Sequence, residues 1–177
     1  RTYIRVSATT VAVLILYLAV SSREVQAQPK CTFTSYSVDD GLSEGVVLAM
    51  HQDRQGFMWF GTFDGLNRFD GYSFKVYKSG FRSNTSLRNN RVDRIIEDDL
   101  GYLWIMTNDG EVYRMNTRTE EFIYFNEIDL STNENYSPVK QVWCFPGGET
   151  WMTSESGKCI RVVSKENSSD YISDSFF

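Results

Sequence analysis

Apolar and polar positions along this chain change over in short bursts, and a glycine turn closes almost every burst. Val46-Val47-Leu48-Ala49-Met50 is an apolar run, followed by Asp53-x-x-Gly56. That spacing suits a tight turn in which Asp accepts locally and Gly takes a positive φ. Phe57 to Thr62 is rich in aromatic residues and ends at Asp64-Gly65, a strong hairpin signal. Leu66 to Phe69 is turned by Asp70-Gly71, and Phe74 to Tyr77 alternates in period two. Strand, turn, strand, turn at this density leaves no room for a helix.

The plan then recurs. Val92 to Ile96, Tyr102 to Thr107, Val112 to Met115 and Phe122 to Phe125 make a second unit. Val139 to Phe145, Thr150 to Ser154 and Cys159 to Val163 make a third. Trp59 to Trp104 is 45 residues and Trp104 to Trp151 is 47, and Gly65, Gly110 and Gly157 keep the same two spacings. A fixed period in the forties is the mark of a repeat architecture. A four-stranded antiparallel blade stacked on its neighbours is the unit of a β-propeller. The fold class expected is therefore all-β, a propeller of about three four-stranded antiparallel blades preceded by a signal-peptide helix. The repeats run about 42–80, 87–126 and 138–165. Phe33 to Tyr36 resembles the two fourth strands and reads as one more, without a blade of its own. Such strands close propellers by pairing with the last blade. Three blades fall short of the usual roughly four to eight, so residues 28–177 read as the N-terminal part of a larger propeller sensor domain.

Arg1 and Arg5 precede the apolar stretch Val11 to Val20, and Val25-Gln26-Ala27 supplies a small-residue site. Residues 1–27 thus read as a signal peptide cleaved after Ala27, with an uncleaved anchor as the alternative. Residues 28–177 carry 15 basic and 22 acidic side chains, a net charge of −7, and no basic stripe. That balance excludes a nucleic-acid-binding segment. Cys31, Cys144 and Cys159 are an odd number with no CxxC pair, so packing rather than a disulfide framework is expected of them.

Catalytic chemistry finds little support. His51 is the only histidine and stands where the next repeat has Ile96, a strand position. One histidine and no cysteine cluster exclude a zinc site. Asp39-Asp40 and Asp98-Asp99 lie beside glycine turns, where Asp commonly caps backbone; calcium is the lesser reading. No catalytic residue, metal ligand or cofactor site is therefore assigned. Trp59, Trp104 and Trp151 recur on the same strand and read as blade-packing core, and Gly56, Gly101, Gly65, Gly110 and Gly157 as turn glycines. Positions that differ between repeats are free to serve a ligand. Phe63, Arg88, Asn89, Asn90, Arg91 and Asn108 fall in loops that open on one propeller face, and they are the candidate ligand-binding residues.

Gly41-Leu42-Ser43 and the run Gln52-Asp53-Arg54-Gln55-Gly56-Phe57-Met58-Trp59-Phe60-Gly61-Thr62-Phe63-Asp64-Gly65-Leu66-Asn67-Arg68-Phe69-Asp70-Gly71 closely resemble the two-component regulator propeller repeat. The resemblance spans residues 33 to about 163 and fades in the third repeat, where Pro146-Gly147 replaces the Asp turn. It implies the periplasmic sensor region of a hybrid two-component histidine kinase of Bacteroidetes type, a homodimer anchored in the inner membrane. The ligand implied is an oligosaccharide, and the output is polysaccharide-utilisation genes. The competing class is a secreted propeller enzyme, a lyase or glycosidase, or a carbohydrate-binding propeller.

Overall fold

The computed structural model describes residues 7–20, 31–80, 86–125, 137–164 and 171–176, in two units, 1–35 and 36–177. In the first unit, α1 (Ala8–Val20) forms on thirteen residues without a charge. Among the described residues no helix is long and apolar enough to cross a membrane. The expected cleavage site at Ala27 lies outside the described residues.

Among the described residues the second unit holds twelve strands in three antiparallel sheets. The first blade is β1 (Val47–Gln52), β2 (Met58–Thr62), β3 (Gly65–Phe69) and β4 (Phe74–Tyr77). The second is β5 (Val92–Glu97), β6 (Tyr102–Thr107), β7 (Val112–Asn116) and β8 (Phe122–Tyr124). The third is β9 (Val139–Phe145), β10 (Glu149–Ser154), β11 (Cys159–Ser164) and β12 (Tyr171–Phe176). Each sheet keeps chain order, so every strand pairs with its sequence neighbour. The fold is the all-β propeller type expected.

Two expectations need correcting. Phe33 to Tyr36 is not a strand. Tyr36 instead rests its ring on Phe69, centroids 4.7 Å apart, and on Phe74 at 6.0 Å. The third repeat also runs past 165, because β12 pairs with β11 from Ser164–Tyr171 to Cys159–Phe176.

A bulge recurs near the start of each inner strand, skipping Leu48, Asp93 and Lys140. One extra residue there raises the local twist and re-aims side chains. The β2–β3, β6–β7 and β10–β11 turns and the links between blades lie at one end of the sheets, called upper here. The β1–β2, β5–β6, β9–β10, β3–β4 and β7–β8 turns lie at the lower end.

The core forms between blades. Trp59, Leu66 and Tyr77 of the first blade pack with Ile95, Leu103, Ile105, Met115 and Phe122 of the second. Trp104 and Val112 of the second pack with Val139, Val142, Met152 and Val162 of the third. Each tryptophan thus faces the following blade, and full burial of such a ring removes about 150–250 Å² from water. Trp59 and Trp104 are 0% and 1% exposed. Trp151 departs from that burial and is only half-buried. It holds the equivalent position on the far face of the third blade, where no further sheet packs among the described residues. Gly61 marks the closest approach of the first two blades: a Cβ there would sit 2.6 Å from the Val92 carbonyl oxygen.

Candidate ligand site

The lower turns of the first two blades are each built on one aspartate. The β1–β2 turn folds around Asp53, whose Oδ1 accepts the Gln55 and Phe57 N–H groups at 2.9 Å. Its other oxygen accepts the Trp59 indole N–H at 2.7 Å. Asp98 repeats this for Leu100, Tyr102 and Trp104. Asp98 also receives Arg114 Nε and Nη2, each at 3.3 Å, and neither side chain of that pair is exposed. The guanidinium lies 3.6 Å from the Tyr102 ring centroid, leaving Nη1 buried without a partner.

Arg68 and Arg161 stand opposite Trp59 and Trp151 in the same register that sets Arg114 opposite Trp104. Arg68 lies over the Phe57 ring at 4.7 Å, and Arg161 donates to Glu149 at 2.7 Å. In the third blade Phe145 stands in place of the turn Asp, and Glu149 instead accepts the Trp151 indole N–H at 2.6 Å. The calcium reading of Asp98-Asp99 meets a different arrangement. Asp98 holds the turn and Arg114, and Asp99 accepts the Gly147 and Gly148 N–H groups of the third blade. Asp40 forms a capping box with Ser37, whose hydroxyl also accepts the Asp39 N–H at 3.2 Å. His51 lies 3.4 Å from Glu97 across the first two blades. Cys144 is in the inter-blade core, where burial pushes its thiol up to about 11, and no disulfide joins it to Cys159. A thiol so raised is protonated and unreactive at neutral pH.

The six candidate ligand residues all lie at the upper end, on the β2–β3 turn, the link from the first blade to the second, and the β6–β7 turn. They divide by what their side chains already do. Asn89 Nδ2 donates to Asn108 Oδ1 at 3.0 Å and Asp109 Oδ2 at 2.9 Å, while its Oδ1 accepts the Arg91 N–H. Asn90 Oδ1 accepts the Ser79 N–H, and its Nδ2 donates to Asp64 at 3.0 Å. Both asparagines therefore position the link. Gly110, at φ +78°, lets this turn approach the third blade, because a Cβ there would meet the Pro138 Cβ at 2.5 Å.

Arg88 is placed by a tyrosine platform. Its N–H donates to the Tyr113 hydroxyl at 2.9 Å, and its guanidinium lies 3.9 Å from the Tyr124 ring centroid. Both tyrosine hydroxyls donate to Glu111, at 2.5 and 2.9 Å. Burial first, then the Glu111 contact, pushes the Tyr113 hydroxyl well above its ordinary range, so it stays a donor. Asp109 is pushed up by burial but held down more strongly by hydrogen bonds from Thr107 and Asn89, which leaves it ionised at neutral pH. Arg91 is paired with Asp93 at 2.9 Å and sits over the Phe63 ring, 5.0 Å from its centroid. Phe63 is 44% exposed, and Asn108 keeps its amide Nδ2 open among the described residues.

The upper surface, called the shelf here, carries an exposed aromatic ring backed by a guanidinium, an exposed amide, and a second arginine braced by tyrosines. An aromatic face with fixed polar groups at its edge suits a polyhydroxylated ring.

Residues 41–64 and 86–109 match the two component regulator propeller family. A 75-residue stretch is 39% identical to histidine kinase P4 of Formosa agariphila, covering 42% of this chain and 5% of that kinase. Among solved structures, the extracellular domain of one hybrid two-component system of B. thetaiotaomicron superposes with a TM-score of 0.63 at 25% identity. It covers 73% of this chain, which spans 18% of that domain's length. The extracellular domain of a second such system from the same organism gives a TM-score of 0.52 at 27% identity, covering 66% of this chain and 16% of its own.

Proposed function

We propose that this chain, which carries two component regulator propeller repeats, supplies blades of the periplasmic ligand-sensing region of a hybrid two-component histidine kinase, and that its ligand is an oligosaccharide. The observation that carries the sensor reading is the likeness to the extracellular domain of such a system over 73% of this chain. The sugar reading rests on the upper shelf, where Phe63 offers an apolar face and Asn108 and the two arginines offer donors at its rim. The segment senses and does not catalyse. Its signal is a shift between two arrangements of a receptor homodimer in the inner membrane, limited in size by the ligand's differential affinity for them.

Calorimetric titration of the intact ectodomain with purified oligosaccharides tests this reading, comparing wild type with Phe63→Ala, Arg88→Ala and Asn108→Ala. Binding by wild type, weakened about tenfold or more by each change, is the expected result; about 1.4 kcal/mol corresponds to each factor of ten. Unchanged affinity in all three variants would remove the shelf from the site, and binding of no oligosaccharide would overturn the sugar reading.

A further inference from the structure

A cleft of about 570 Å³ opens at the lower end, away from the shelf, between the β1–β2 turn of the first blade and the β5–β6 and β7–β8 turns of the second. Its volume lies in the range that small-molecule sites occupy. What decides its chemistry is which of its polar groups are already engaged.

Its two carboxylates face internal donors. Glu97 accepts the Arg54 N–H with both oxygens and pairs with His51. Each Asp99 oxygen accepts one glycine N–H of the third blade. Three other lining residues carry open donors among the described residues. Among the described residues, the Arg118 guanidinium, the Asn116 Nδ2 and the Tyr102 hydroxyl meet no partner, although all three residues line the cleft. Asn116 is fixed for this by its own Oδ1, which accepts the Arg118 and Thr119 N–H groups at 2.9 and 3.2 Å. Gln55 donates its amide to Thr117 at 2.8 Å, and its carbonyl oxygen is left as an acceptor.

Open donors thus outnumber open acceptors, and one donor is a permanent cation. A guanidinium receives carboxylate or sulfate oxygens through two parallel N–H bonds. We propose that this cleft is a second ligand site, taking a small hydroxylated acid whose anionic group is received by Arg118 and whose hydroxyls meet Asn116, Tyr102 and Gln55. It is independent of the upper shelf, so a molecule held here sets the spacing of the lower turns while the shelf takes its own ligand.

Titrating the intact protein with glucuronate, glucose 6-sulfate and glucose tests the proposal. Both acids or either one should bind at least tenfold more tightly than glucose, and the comparison of the two separates carboxylate from sulfate as the group received. Arg118→Gln, an exposed substitution, should reduce acid binding at least tenfold, and Phe63→Ala at the shelf should leave it unchanged. Equal binding of acids and glucose, no binding of either acid, or unaltered acid affinity in Arg118→Gln would overturn it.

Discussion

Asp98, Trp104 and Arg114 are the residues on which the second blade turns. Asp98 organises two backbone N–H groups, an indole and a guanidinium, and among the described residues the last of these has no other acidic partner. Removing one member of a fully buried ion pair leaves the other charge uncompensated, which costs about 3–5 kcal/mol. Asp98→Ala should therefore destabilise the protein by roughly that amount, read as a lowered denaturant midpoint. Trp104→Ala should cost about 3–5 kcal/mol by opening a core cavity. Glu149→Ala, in the same relation to Trp151 but at an open face, should move the midpoint far less. The arginines opposite each tryptophan were not legible from spacing. Arg68 follows Trp59 by nine residues, but Arg114 and Arg161 follow theirs by ten. The longer β6–β7 and β10–β11 turns shift the count, and only strand pairing reveals the common register.

Between elements, the β7–β8 turn clasps the first blade. Glu120 holds a left-handed backbone at φ +61° and places its carboxylate between Arg68, at 3.2 Å, and Lys75. Burial pushes Glu120 up, yet Lys75, the nearby Tyr77 hydroxyl and Arg68 together outweigh it and hold it below its ordinary 4.5. A carboxylate depressed on folding stabilises above its unfolded value, and that stability is lost as pH falls through the folded one. Acid titration below about pH 4.5 should thus loosen this clasp, and Glu120→Gln should flatten the pH dependence of the midpoint there. At another contact between these blades, Gly61→Ala should destabilise, because backbone rather than a flexible side chain fills the space a Cβ needs. The strands themselves were legible because glycine turns and aromatic alternation repeat. Phe33 to Tyr36 misled because likeness to the fourth strands, an aromatic residue at each end, names no partner strand, and Tyr36 found aromatic rings instead. The last strand escaped because Tyr171-Ile172-Ser173-Asp174-Ser175-Phe176 has three polar residues in succession and no turn glycine shortly before it.

For the molecule as a whole, the repeats made the propeller legible, and loop positions that vary between repeats led to the upper end. The sequence did not separate Asn89 and Asn90, which position the link, from Phe63 and Asn108, which face outward, because that division depends on contacts between blades. The inner strands carry exposed apolar side chains: Met50 at 68%, Trp143 at 41% and Phe145 at 48%. Exposed apolar faces and strand edges favour association, so residues 28–177 expressed alone should self-associate in sedimentation velocity. Hydrogen exchange on the intact ectodomain, with and without oligosaccharide, tests the central claim most directly. Ligand-induced slowing at the amides of 63–65, 88–91 and 108–110, with the lower turns at 98–101 and 116–120 unaffected, is the result this account predicts. Saturating oligosaccharide that leaves all three upper segments exchanging at their original rates would contradict it.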